Sequence, residues 1–183
     1  AFTYGFNGIP VPGDAPWMAG LLYHEVGLEG VLERARSLRL RGAEFVVLSM
    51  QWGNEYQQAP TDEQRQWARD LLSSPDVDLI LGDHVHVEGK YVHYGMGNFL
   101  SNQTPAAGLL ASTQDGAVVR YEVQEVAPGQ FRTVRMSFAP TFVTVPGHRI
   151  ERATPERHPN SHGRTVEAFA ALGPGACDAV PEY

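Results

Sequence analysis

The chain has 183 residues, 43% of them hydrophobic and 19% charged, which allows a buried core and argues against global disorder. Its net charge of −7 disfavours nucleic-acid backbones as partners, yet leaves room for a small phosphorylated ligand where a metal ion inverts the local field. Cys177 is the only cysteine, so an intramolecular disulfide and a cysteine-based zinc cluster are excluded, and no apolar run reaches the ~18 residues of a membrane span.

In chain order, Ala1 to Phe6 reads as a short strand, closed by Asn7-Gly8 and a Pro/Gly-rich loop through Pro16. The chain opens without Met in a strand-like run, as the middle of a domain would, and is expected to be a fragment or a processed chain. From Glu25 to Arg41, the residues Leu28, Val31, Leu32, Ala35 and Leu38 recur at helical spacing. Arginines gather at its end, where cations favour the helix dipole, and Gly42 is the expected C-cap. "EFVVLSM" (44–50) is a buried strand. Thr61 opens a second helix with Gln64 in capping-box position, and Trp67, Ala68, Leu71 and Leu72 form its apolar face. "VDLIL" (77–81) is the next strand. Strand, helix and strand with compact connections make a βαβ unit, so the expected fold class is α/β.

Beyond residue 90 the period changes. "KYVHYGM" reads as a strand, and "GAVVRYEVQEV" and "QFRTVRMSFAPTFV" alternate around Pro128-Gly129 as an antiparallel hairpin. The tail from Pro146 is expected to be irregular, with a short helix near Thr165 to Leu172.

Three polar clusters could carry chemistry. In "GDHVHV", His84 and His86 follow a buried strand at its carboxyl end, where open α/β sheets place their ligand sites. Residues two apart in extended backbone point to the same side, so both imidazoles can converge on one ion such as zinc, iron or manganese. The competing reading is a pair of polar residues on an exposed strand end. Asp83, just before them, would point the other way and support a ligand or face solvent. In "QWGNEY", Glu55 can ligate a metal, orient a ligand histidine or take a proton, and can equally be a solvated loop carboxylate. Trp52 reads as packing, and Gly53 as a site of close backbone approach. In "GMGNF", Asn98 follows a strand in a tight turn, and its amide can orient a loop or a substrate. His158 and His162 flank Pro159 as a possible loop metal pair or as solvent-facing residues. The nearby Arg149, Arg152, Arg157 and Arg164 suit an anionic contact, or pairing with Glu151, Glu156 and Glu167.

These clusters, in this order, resemble the bacterial capsule-synthesis protein A family of the poly-γ-glutamate capsule type, within the calcineurin-like metallophosphoesterase superfamily. The resemblance rests on "VVLSMQWGNEYQQAPTDEQRQWARDLLSSPDVDLILGDHVHV", "YGMGNF" and the opening "YGFNGIPVP". It implies that residues 1–145 are the C-terminal half of a metallophosphoesterase-like domain, part of an α-β-β-α sandwich, followed by the tail 146–183. It further implies a divalent metal (Mn, Fe or Zn) on His84 and His86 with Glu55, and Asn98 in the closing turn, with Glu55 and Asn98 as catalytic candidates. The implied activity is that of a metal-dependent phosphoesterase-like protein in capsule or cell-surface polymer synthesis, extracytoplasmic or envelope-associated. The alternative is a non-catalytic module that binds an anionic polymer or assembles it, with a degenerate metal site. Gln51 stands where the family usually has histidine, and an amide is a much poorer ligand for a transition metal. The stretch between His86 and Gly89 is also several residues shorter than the family's. Further ligands are expected from an N-terminal half or another chain, without which independent hydrolysis is not expected.

Overall fold

The computed structural model describes residues 1–5, 10–15, 20–22, 26–54, 60–82, 91–93, 103–170 and 180–181, with backbone alone at 91–93 and 180–181. The chain divides into two compact units. One comprises Ala1–Gly95 with Glu125–Arg132, and the other Met96–Gln124 with Thr133–Tyr183.

The first unit carries a four-stranded sheet in the order β1-β2-β3-β4, with β1 at Phe2–Thr3, β2 at Val47–Gln51, β3 at Leu79–Leu81 and β4 at Tyr91–His93. Every pairing is parallel, with Phe2 opposite Met50, Val47 opposite Leu79 and Leu79 opposite Tyr91. Parallel neighbours need crossovers, and helices supply the first two: α1 at Gly27–Leu40 between β1 and β2, and α2 at Asp62–Ser73 between β2 and β3. Val31 and Ala35 of α1 and Ala68, Leu71 and Leu72 of α2 join one core cluster with Leu48, Met50 and Ile80. Register puts Leu48 beside Ile80 and Phe2 beside Met50, so both helices cover the same face of the sheet. On the other face of β2, Ser49 and Gln51 are exposed and Val47 is 44% exposed.

Both helix ends expected from the sequence are built as the residues dictate. Gly42, at φ +94°, ends α1 in a Schellman motif: its N–H donates to Arg39 O at 2.9 Å, and Ala43 N–H to Leu38 O at 3.0 Å. Thr61 caps α2 through its hydroxyl, which accepts from Gln64 N at 3.1 Å, while Gln64 Oε1 accepts from Thr61 N at 2.9 Å. Thr61→Ala breaks one half of that box and is expected to cost about 1 kcal/mol by urea denaturation, with the m-value unchanged.

β5 (Asp115–Ala127) and β6 (Gln130–Thr144), which belong to the second unit except for Glu125–Arg132 at the hairpin end, form the expected hairpin, whose sheet runs β5-β6-β7 with β8 (Val180–Pro181) parallel to β6. The tail is more ordered than expected. Arg149–Arg152 forms β7, antiparallel to β6 with Val143 opposite Ile150, and α3 runs from Pro159 to Ala170 instead of starting near Thr165. Proline is tolerated in the first helical turn, where its missing N–H has no intrahelical acceptor, so Pro159 opens the helix instead of preventing it. Two long-range contacts hold α3. Phe169 stacks on buried Phe138 with ring centroids 3.9 Å apart, and Arg164 grips Asp115 through two bonds, Nε to Oδ2 at 2.7 Å and Nη2 to Oδ1 at 2.9 Å. The bond to Asp115 raises the Arg164 pKa further above its ordinary value. No helix among the described residues is long and apolar enough to cross a membrane.

A candidate site at the carboxyl edge of the parallel sheet

Because β2, β3 and β4 run in the same direction, all three leave the sheet at one edge. Ser49 pairs with Leu81 and Leu81 with His93, so the strands reach that edge level with one another. "QWGNEY" therefore begins at the end of β2, "GDHVHV" at the end of β3, and "YGMGNF" one residue after β4. The topology gathers the starts of the three polar clusters at the edge where parallel sheets take their ligands. Glu55, Asp83, His84, His86 and Asn98 lie outside the described residues; Gln51, Trp52, Gly53, Asn54 and Gly82 lie within them.

The described residues show how tightly the edge is built. Trp52 is a core side chain, 2% exposed, in keeping with its reading as packing. Gly82 is glycine because Trp52 lies across it: a Cβ there would stand 2.5 Å from Trp52 Nε1 and 2.8 Å from Met50 O. Gly53, at φ +87°, meets buried Gln64, and its Cβ would fall 2.5 Å from Gln64 Nε2. The cap of α2 thus packs directly against the first loop of the edge.

Gln51, on the exposed face, is a neighbour of Thr3 across the β1–β2 pairing. Thr3 Oγ1 donates to Gln51 Oε1 at 2.7 Å and accepts from Gly5 N at 3.2 Å, with Gly5 O 2.9 Å away. The main chain closes the same junction, since Tyr4 N–H donates to Gln51 O at 2.8 Å. Sequence reasoning missed Thr3. The only signal for it is register, which is invisible until the strands are paired.

This position does not suit a divalent transition metal. The amide oxygen is taken by the Thr3 hydroxyl, and an amide nitrogen has no lone pair to offer. Among the described residues no group of three or more His, Cys, Asp or Glu side chains converges.

The His158–His162 region is likewise no loop site. His158 precedes α3, stacks on Phe142 with centroids 4.6 Å apart and lies 3.2 Å from Glu151 Oε2, while Arg164 is committed to Asp115 rather than to Glu151, Glu156 or Glu167. Thr154 hydrogen-bonds the exposed Glu156 carboxylate and holds its pKa below the usual value. A concavity of about 290 Å³ beside this helix start is lined by Gln114, Phe142, His158 and Asn160 among others.

Residues 12–103 match the family described as "Bacterial capsule synthesis protein PGA_cap". The chain is 35% identical over 96 residues to "PGA biosynthesis protein CapA" of Bacillus subtilis (strain 168), a match covering 49% of this chain and 24% of that protein. It is 27% identical over 101 residues to "Capsule biosynthesis protein CapA" of Bacillus anthracis, covering 51% of this chain and 23% of that protein. The matched region thus spans about a quarter of the length of these relatives.

Proposed function

The chain belongs to the bacterial capsule synthesis family PGA_cap, and from that membership we propose that it serves capsule polymer synthesis through the carboxyl edge of its parallel sheet. The observation that carries this reading is that β2, β3 and β4, each followed in the sequence by one of the three polar clusters, end level at one edge of a single sheet. The name of the Bacillus subtilis relative supports a polymer of the poly-γ-glutamate kind; a place outside the cytoplasmic membrane or in the cell envelope is part of the proposal. The ligand of the edge is an oxyanion, either a phosphorylated small molecule or the anionic polymer itself.

Two chemistries compete for that edge. In the first, His84 and His86, with Glu55, hold a divalent ion (Mn, Fe or Zn) that supplies Lewis acidity for phosphoester hydrolysis, and Asn98 orients the substrate. An N-terminal half or another chain then completes the ligand set. In the second, the edge binds or helps assemble the polymer without catalysis. The engagement of Gln51 by Thr3 favours the second for this chain, because it withdraws one side chain from any ligand set.

Elemental analysis of the purified chain and of a His84→Ala/His86→Ala variant separates them. Stoichiometric Mn, Fe or Zn lost in the variant is the result expected of the first chemistry. The same trace metal in both proteins would overturn it and leave polymer binding, which retention on immobilised poly-γ-glutamate then tests directly.

A further inference from the structure

The geometry points to Gln51 as a hydrogen-bond donor for an oxyanion: Thr3 fixes its amide so that the NH2 group, and not the oxygen, is offered at the carboxyl edge. This deepens the reading of that edge as an oxyanion site, and rests on it.

Three observations carry the inference. First, Gln51 Oε1 is the amide atom that faces Thr3, 2.7 Å from Thr3 Oγ1, within the range of an O–H···O bond. Second, the bonds run in one direction. Gly5 N–H donates to the Thr3 hydroxyl, whose single proton has two acceptors in reach, Gln51 Oε1 at 2.7 Å and Gly5 O at 2.9 Å; given to the nearer Gln51 Oε1, it completes a chain that makes the Gln51 NH2 a better donor. Third, Gln51 is exposed at the last position of β2, whereas Thr3 is 9% exposed, so the anchor is buried and the offered group is not. A neutral NH2 group complements a phosphate or carboxylate oxygen and repels a cation. At this position the chain therefore offers a donor to the ligand in place of a metal ligand.

The test is inorganic phosphate binding, followed by calorimetry and by the side-chain amide signals of Gln51 in nitrogen-proton NMR spectra. Gln51→Glu keeps the shape and still accepts from Thr3, but replaces the donor by a negative oxygen. It is expected to weaken phosphate about tenfold or more at unchanged melting temperature. Thr3→Val, which frees the amide, should weaken binding about threefold, and Thr3→Ser should restore it. In the wild type, phosphate should shift the Gln51 NH2 signals. Phosphate binding that ignores Gln51→Glu and leaves those signals in place would overturn the inference while sparing the oxyanion reading of the edge; it is also the result expected if the amide were turned with its oxygen outward. No phosphate binding by the wild type would overturn both.

Discussion

Gly82→Ala is expected to destabilise the chain by about 2–3 kcal/mol, at the high end for one added methyl group, because neither neighbour of the new Cβ can move freely. One is the backbone oxygen of Met50, 2.8 Å from the Cβ position and fixed within β2; the other is the indole of Trp52, 2.5 Å away in the core. Either β3 shifts away from β2 or the indole leaves its packing. Both responses disturb the point at which the chain enters "GDHVHV". Urea denaturation should show a lower midpoint at constant m-value. Two other glycines serve as controls. Gly129, at φ +69° with open space around it, should lose only about 1 kcal/mol as alanine, the cost of a left-handed backbone. Gly163 lies inside α3 with nothing within 4 Å of its Cβ position, and Gly163→Ala should stabilise by up to about 1 kcal/mol. If all three variants behaved alike, the close approach of Trp52 to Gly82 would not be the cause.

The parts of this fold legible in the sequence are those whose cause is local. The α1 and α2 periodicities, the Thr61–Gln64 box, the Gly42 cap and the Pro128-Gly129 hairpin each depend on residues a few positions apart, and each is present. The βαβ pattern also located the carboxyl edge of the sheet, because the direction of parallel strands follows from the crossovers. The tail, expected to be irregular up to a short helix near Thr165, is helical from Pro159. Proline is tolerated in a first turn, and the packing of Phe169 and the grip of Arg164 on Asp115 hold the helix through contacts distant in sequence. Long-range polar partners were not legible at all. The chain separation of 48 residues between Thr3 and Gln51, and of 39 between Arg39 and Asp78, leaves no periodic trace. Nothing in the order of the residues distinguished Asp78 from the solvated carboxylates around it.

Asp78 is nonetheless where the second large effect is expected, with Asp78→Ala costing about 2–4 kcal/mol. Its Oδ2 accepts from Val46 N–H at 2.6 Å and from the Arg39 guanidinium. Arg39 in turn donates to Ala43 O at 3.2 Å and to Pro75 O at 3.3 Å. One carboxylate thereby joins the end of α1, the approach to β2 and the approach to β3. Val46 is buried, so removing the acceptor strands its N–H away from water as well as breaking the ion pair. The pair is largely covered, its side chains 21% and 16% exposed, so moderate salt should change the loss little. Asp78→Asn keeps an acceptor for Val46 and should cost about half as much, and Arg39→Met combined with Asp78→Ala should cost less than the sum of the two. A loss below about 0.5 kcal/mol for Asp78→Ala would mean that Val46 N–H finds another acceptor and that the network holds nothing. The expected loss would instead give the carboxyl edge its origin at the opposite end of the strands. Because Asp78 ties the approaches to β2 and β3 together, those strands start in register, and so they end level with one another at the carboxyl edge.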